Sequence, residues 1–226
     1  MGRIRPAMIA IAIGCWSPAP PAGAGEPVLL DETTAVVNRE IITRGEVNEH
    51  AALMECEQAI ELCLAPRPSP ESLRSALDAL IRQHLVLAEA RDMDVPQTTD
   101  EERERLVART RSRFPSDEKF RQFLRLHRLT EESLGEMLAS ALRAERAQDA
   151  RMKLLPPVQD AEVEAYYREN RVRFGGAPLS RVAEAIRLRL LTQRREEFLS
   201  QWLYELRSRA SVQVLSDPAR EPVMGK

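Results

Sequence analysis

The residues of this chain that could carry chemistry are cysteines, histidines and closely spaced acids. Cys56 and Cys63 stand seven positions apart, and Cys15 lies by itself near the start. On one continuous helix a spacing of seven separates the Cα atoms by about 10 Å. A disulfide requires less than about 7 Å. A Cys56–Cys63 bridge therefore needs the helix to end or turn between the two, and a pair of free thiols is the alternative. The scattered His50, His84 and His127 show no metal-ligand spacing with either cysteine, so no metal is expected. His127, in RLHRL, reads as a surface or helix-end histidine rather than a general base. The run DEERER (100–105) reads as a solvated helix face, and Tyr166-Tyr167 as packing residues. No P-loop, G-x-S-x-G, H-E-x-x-H or G-x-G-x-x-G occurs, so neither an enzyme nor a cofactor is expected.

The elements that would position these residues follow from composition and local signals. The 226 residues are 43% hydrophobic and 30% charged, but only 4% aromatic, with nine glycines. That bias toward Ala, Leu, Arg and Glu favours helices packed around a core. A net charge of −2 without a basic block argues against nucleic acid. At the start, Arg3 and Arg5, the apolar AMIAIAIG (7–14) and Ala22-Gly23-Ala24 describe a signal peptide over 1–24. The apolar run is shorter than the roughly 20 residues of a membrane-spanning helix. AIGC (12–15) also resembles a lipobox. Two products stay open: a soluble periplasmic chain starting at Gly25, or a lipoprotein that meets the membrane only through Cys15.

Beyond that segment, AVVNREII (35–42) reads as a hairpin turning at Asn38-Arg39, with Val36 opposite Ile41 and Ala35 opposite Ile42. Thr43-x-x-Glu46 is a capping box that starts a helix over about 44–62. The proline cluster APRPSP (65–70) closes it, and Ser69-Pro70 opens a second helix that stops near Pro96. Thr98-x-x-Glu101 starts a third helix, Ser116 a short fourth, and Thr130 a fifth reaching about Leu154. DAEVEAYYRENRVRF (160–174) is a sixth. The last helix (179–210) carries two apolar patches separated by the polar TQRREE (192–197), so it should dock at both ends. SVQVL (211–215) alternates like a strand. A lone hairpin is marginal in water, so this strand is expected to pair with it and tie both ends of a helical body together. Residues 216–226 are expected to be a disordered tail.

This order of motifs resembles the N-terminal region of the SurA-like periplasmic chaperones and their PpiC/PrsA relatives. The stretches that carry the resemblance are TTAVVNREIITRGEV, LDALIRQHLVLAEARDMDV and DAEVEAYYRENRVRF, followed by 178–215, which is similar to the helix and strand after the isomerase domain in that family. The resemblance implies a mainly α body with a small antiparallel sheet, a helical chaperone region over 25–177, and 178–215 completing the same core. It also implies a parvulin prolyl-isomerase domain between Phe174 and Pro178, where only Gly175-Gly176-Ala177 stand. Three residues leave no room for a domain of ordinary size. The implied function is an ATP-independent holdase for unfolded exported polypeptides, typically outer-membrane proteins. The alternative is a non-catalytic assembly module holding one dedicated partner. Phe114, Phe120, Phe123 and Leu124, flanked by basic residues, are the expected client surface, with burial in the core as the competing reading.

Overall fold

The computed structural model describes residues 31–220; the expected signal peptide and Cys15 lie outside the described residues. Strands β1 (Thr33–Val37), β2 (Glu40–Thr43) and β3 (Val212–Val214) form an antiparallel sheet in the order β2-β1-β3. Ala35 pairs with Ile42 and Val36 with Ile41, in the expected register. On the other side of β1, Val37 pairs with Val212 and Ala35 with Val214. Asn38 turns the hairpin with φ of 56°, a left-handed conformation that Asn tolerates. Its backbone N–H also donates to the Ser211 carbonyl at 2.7 Å, and its side-chain oxygen accepts from Ser211 N–H. One turn residue thus starts both pairings. Glu40 of β2 then reaches across to a helix, accepting from Arg91 at 2.6 Å and bonding His84 at 2.7 Å. Burial alone would raise the Glu40 carboxyl, but Arg91 and His84 together hold it below the usual range.

Helix α1 (Arg44–Gln58) begins at Thr43, whose side chain accepts from Glu46 N–H while Glu46 accepts from Thr43 N–H. The expected single helix over 44–62 is broken. Ala59 is extended (φ −159°, ψ 138°), and α2 (Ile60–Cys63) follows as a separate turn. The break brings the Cα atoms of Cys56 and Cys63 to 4.9 Å, and the two are joined as a disulfide. Helix α3 (Pro70–Asp92) is capped by Ser69 with Pro70 at its first position. Helix α4 (Asp100–Arg111) is capped one residue later than Thr98. The Thr98 hydroxyl donates to the Ala139 carbonyl, leaving Thr99 and Glu102 to form the capping box. Helices α5 (Asp117–Leu126) and α6 (Glu131–Met152) start at Ser116 and Thr130 as expected. Helix α7 (Asp160–Glu169) is shorter than expected, and Arg171–Phe174 form a 3-10 turn. Gly175 and Gly176, at φ of 57° and 77°, lead directly to α8 (Leu179–Arg209). Both glycines occupy a region that other residues rarely adopt. No isomerase domain interrupts the chain at this point.

Three cores result. The first joins the inner face of the sheet (Ala35, Val37, Ile42) to α1, α3, the second half of α6 and the far end of α8, where Trp202 and Leu206 are buried. The second gathers α1, α2, α4, α5 and the first half of α6 around Phe120, Phe123 and Leu134. The third is small: Val158, Val163 and Ile186 between α7 and the near end of α8. The two apolar patches of α8 thus dock in different cores, as their separation predicts.

Residues 216–220 depart from the expected disordered tail. Leu215 and Ser216 N–H donate to the Thr34 carbonyl, and Asp217 pairs with Arg74 at 3.1 Å. Arg44 Nη1 donates to the carbonyls of Pro218 and Arg220, both at 2.9 Å, while its Nε pairs with Glu32 at 2.8 Å. One guanidinium satisfies backbone carbonyls that would otherwise stay in water. Residues 221–226 lie outside the described residues.

Candidate functional site

A groove of about 780 Å³ opens where four segments meet. That volume is in the range of pockets that hold small ligands or short peptide segments, roughly 300–1,000 Å³. One wall is the first turns of α1, with Arg44, Asn48 and Glu49. The second is the proline loop Pro66, Pro68 and Pro70 with Leu73 of α3. The third is the end of α5, with Leu126, His127 and Arg128. The fourth is the anchored segment Pro218–Arg220.

Each wall has a local cause. The proline loop is held from beneath by Glu55, which is buried and accepts from Ser69 N–H at 2.8 Å. The Cys56–Cys63 bridge folds α2 back against α1. Arg113 donates to the Cys56 carbonyl at 3.0 Å, and His127 Nε2 lies 2.7 Å from the Cys63 carbonyl. A carbonyl only accepts, so this ring nitrogen carries the proton. His127 therefore caps α5 from a buried position and fastens it to the disulfide turn. At the end of α5, Arg128 takes a left-handed φ of 58°, which turns the chain toward α6. The fourth wall is held where Arg44 binds its carbonyls and Arg74 pairs with Asp217.

The electrostatics are uneven. Among the described residues, Arg44, Arg67, Arg128 and Arg220 line the groove, against the single carboxyl of Glu49. Burial, reinforced by the nearby Glu46 and Asp31, pushes the Glu49 carboxyl up to about 7. Near neutral pH the groove thus carries positive charge above an apolar floor of prolines and leucines. Such a surface can hold an extended polypeptide by contact and charge; the lining groups form no nucleophile–base pair.

The sequence-expected residues fall elsewhere. Phe114, Phe120, Phe123 and Leu124 are 7%, 0%, 0% and 8% exposed, inside the second core. Phe114 meets Phe120 edge-on at 5.4 Å and lies 5.4 Å from Phe123. The client surface expected there is corrected: Ser116 starts α5 in a phase that turns Phe120, Phe123 and Leu124 inward, leaving Arg121 and Arg125 outside. Arg111 covers the Phe120 ring at 5.0 Å. Cys15 lies outside the described residues. Among the described residues no three His, Cys, Asp or Glu side chains group as for a metal, and no helix is long and apolar enough to cross a membrane. Sequence reasoning missed the groove; its one local signal was APRPSP, where alternating prolines flank an arginine.

Comparison with curated proteins returns no match. A family model described as the SurA-like N-terminal domain matches residues 7–148. That span includes β1 through most of α6, and hence three of the four groove walls. A match over more than half of the chain places it: the protein belongs to the SurA-like N-terminal domain family, a non-catalytic, chaperone-like type of domain that binds polypeptide.

Proposed function

We propose that the protein is an ATP-independent holdase that binds unfolded exported polypeptides, outer-membrane proteins among them, in the periplasm. The observation that carries this reading is the groove: an apolar floor with a charged rim, built on a fold of the SurA-like N-terminal type. Binding of this kind is passive. A client leaves when its folded state becomes the more stable partner, so no nucleotide is required. The charged outer faces of α4 and α5 keep a loaded complex in solution. Export by the segment over 1–24 would put the chain where such clients pass and where the Cys56–Cys63 bridge persists.

The test is light scattering from a urea-denatured outer-membrane protein diluted into buffer without nucleotide. Suppression at a few-fold molar excess of the protein is expected; unchanged aggregation at that excess would overturn the reading. The N-terminal residue of the protein recovered from cells tests the location, Gly25 marking a soluble periplasmic product and a lipid-modified Cys15 an anchored one.

A further inference from the structure

We propose that the groove selects client segments that are extended and acidic, its two lip arginines, Arg128 and Arg220, pairing with the client's carboxylates. This rests on the polypeptide-holding reading and names the client chemistry that the groove would take.

The positive groups in the lining are not used alike. Arg44 is committed to Glu32 and to the carbonyls of Pro218 and Arg220. It builds the wall and leaves its charge behind. Arg128 and Arg220 are exposed, and among the described residues neither guanidinium makes a hydrogen bond or ion pair. They come from different walls, the α5–α6 turn and the C-terminal segment. The chain as a whole is net negative, at −2. A groove of opposite sign to the whole molecule is a local feature, and it sets which segments of a client are drawn in.

The shape of the floor agrees. Prolines 66, 68 and 70 offer no backbone N–H, so the loop wall cannot add a strand to the client by backbone pairing. Contact with prolines, Leu73 and Leu126 supplies apolar adhesion without sequence register, and direction in charge is left to the arginines. Guanidinium pairs with carboxylate in a two-pronged geometry that lysine does not reproduce. Glu49, the only acid in the lining among the described residues, opposes an acidic client when ionised.

The test uses the full-length chain and two fluorescein-labelled, C-terminally amidated peptides of equal length. One alternates Leu with Glu, the other Leu with Gln, and binding is read by anisotropy. The acidic peptide is expected to bind about three- to tenfold more tightly in low salt. That advantage should collapse in about 1 M NaCl, where screening acts within a few ångströms. Arg128→Gln with Arg220→Gln should bring the two peptides to within about twofold, leaving the Gln peptide unchanged. Equal binding of both peptides by the native chain overturns the proposal, and so does an advantage that survives either the double substitution or high salt. The salt series needs no variant and decides the matter even if the double variant misfolds. Suppression of aggregation without acidic preference sinks this inference alone. Acidic preference without suppression sinks the holdase reading and leaves the groove's selectivity standing.

Discussion

Glu49 shows how one side chain links the groove to stability. Its carboxyl sits half-buried one turn into α1, with Glu46 and Asp31 nearby, and titrates at about 7 instead of 4.5. A raised carboxyl means that the folded chain keeps a proton that the unfolded chain has lost. The resulting stabilisation is full below about pH 4.5 and is lost as pH rises through 7. Glu49→Gln removes the charge while keeping the shape. It is expected to raise the Tm at pH 8 by about 2–4 °C, the shift that roughly 1 kcal/mol gives in a chain of this size. Water reaching the half-buried carboxyl keeps the effect to that order. At pH 4 the two proteins should melt together. Parallel Tm-versus-pH curves for the native chain and the variant would show that Glu49 is not the titrating group. His50 titrates in the opposite sense, burial lowering its pKa, so its charge does not produce this slope.

The α1–α2 break decides whether Cys56 and Cys63 can meet. Seven residues of helix hold two cysteines apart, and an extended Ala59 brings them together. Closing so short a loop contributes about 2.5 kcal/mol by restricting the unfolded chain. Cys56→Ala with Cys63→Ala should therefore lower stability by about 2–4 kcal/mol in urea unfolding. The native chain should lose a similar amount in the presence of a dithiol reductant, and the variant none. A reductant-insensitive native chain would mean that no bridge is present. Elements with their own punctuation were legible in the sequence. Thr43 with Glu46, Ser69 with Pro70, Ser116 and Thr130 each mark a helix start within four residues. The sheet was legible because a lone hairpin is marginal in water and SVQVL offers the strand that pairs with its open edge. Thr98 misled because two T-x-x-E frames overlap, and only the Ala139 carbonyl decides between them. The groove was not legible. Its walls come from positions near 45, 67, 127 and 219, and the fourth is held by contacts from far along the chain, an arginine at the start of α1 among them.

At the scale of the whole described body, the three cores differ greatly in size, and that difference sets where the molecule opens. The first core buries eighteen apolar residues, the third only Val158, Val163 and Ile186. Helix α7 finds its main packing partner in α8 alone. Its base is clamped by Arg194, which donates to the Pro156 and Pro157 carbonyls at 3.2 and 2.8 Å and pairs with Glu162. Around the third core Tyr166, Tyr167, Phe174, Leu179 and Leu190 are only partly covered, and Val172 and Leu188 are 95% and 64% exposed. A helical hairpin with so little buried surface opens separately from the body, because regions of low contact density open at lower free energy than the global transition. Native-state hydrogen exchange is expected to show amides of 160–169 and 180–190 exchanging at roughly half the global free energy or less, with a shallow dependence on denaturant. Amides of α1 and α3 should exchange only through global unfolding, with a steep one. Arg194→Ala should speed exchange in the hairpin and leave α3 untouched, since the clamp lies outside the first core. A single steep isotherm shared by α3 and α7 would mean that α8 transmits the stability of the first core along its whole length. In that case the polar stretch 192–197 would be a rigid connector between two docked ends, and the separation of its patches would carry no dynamic consequence.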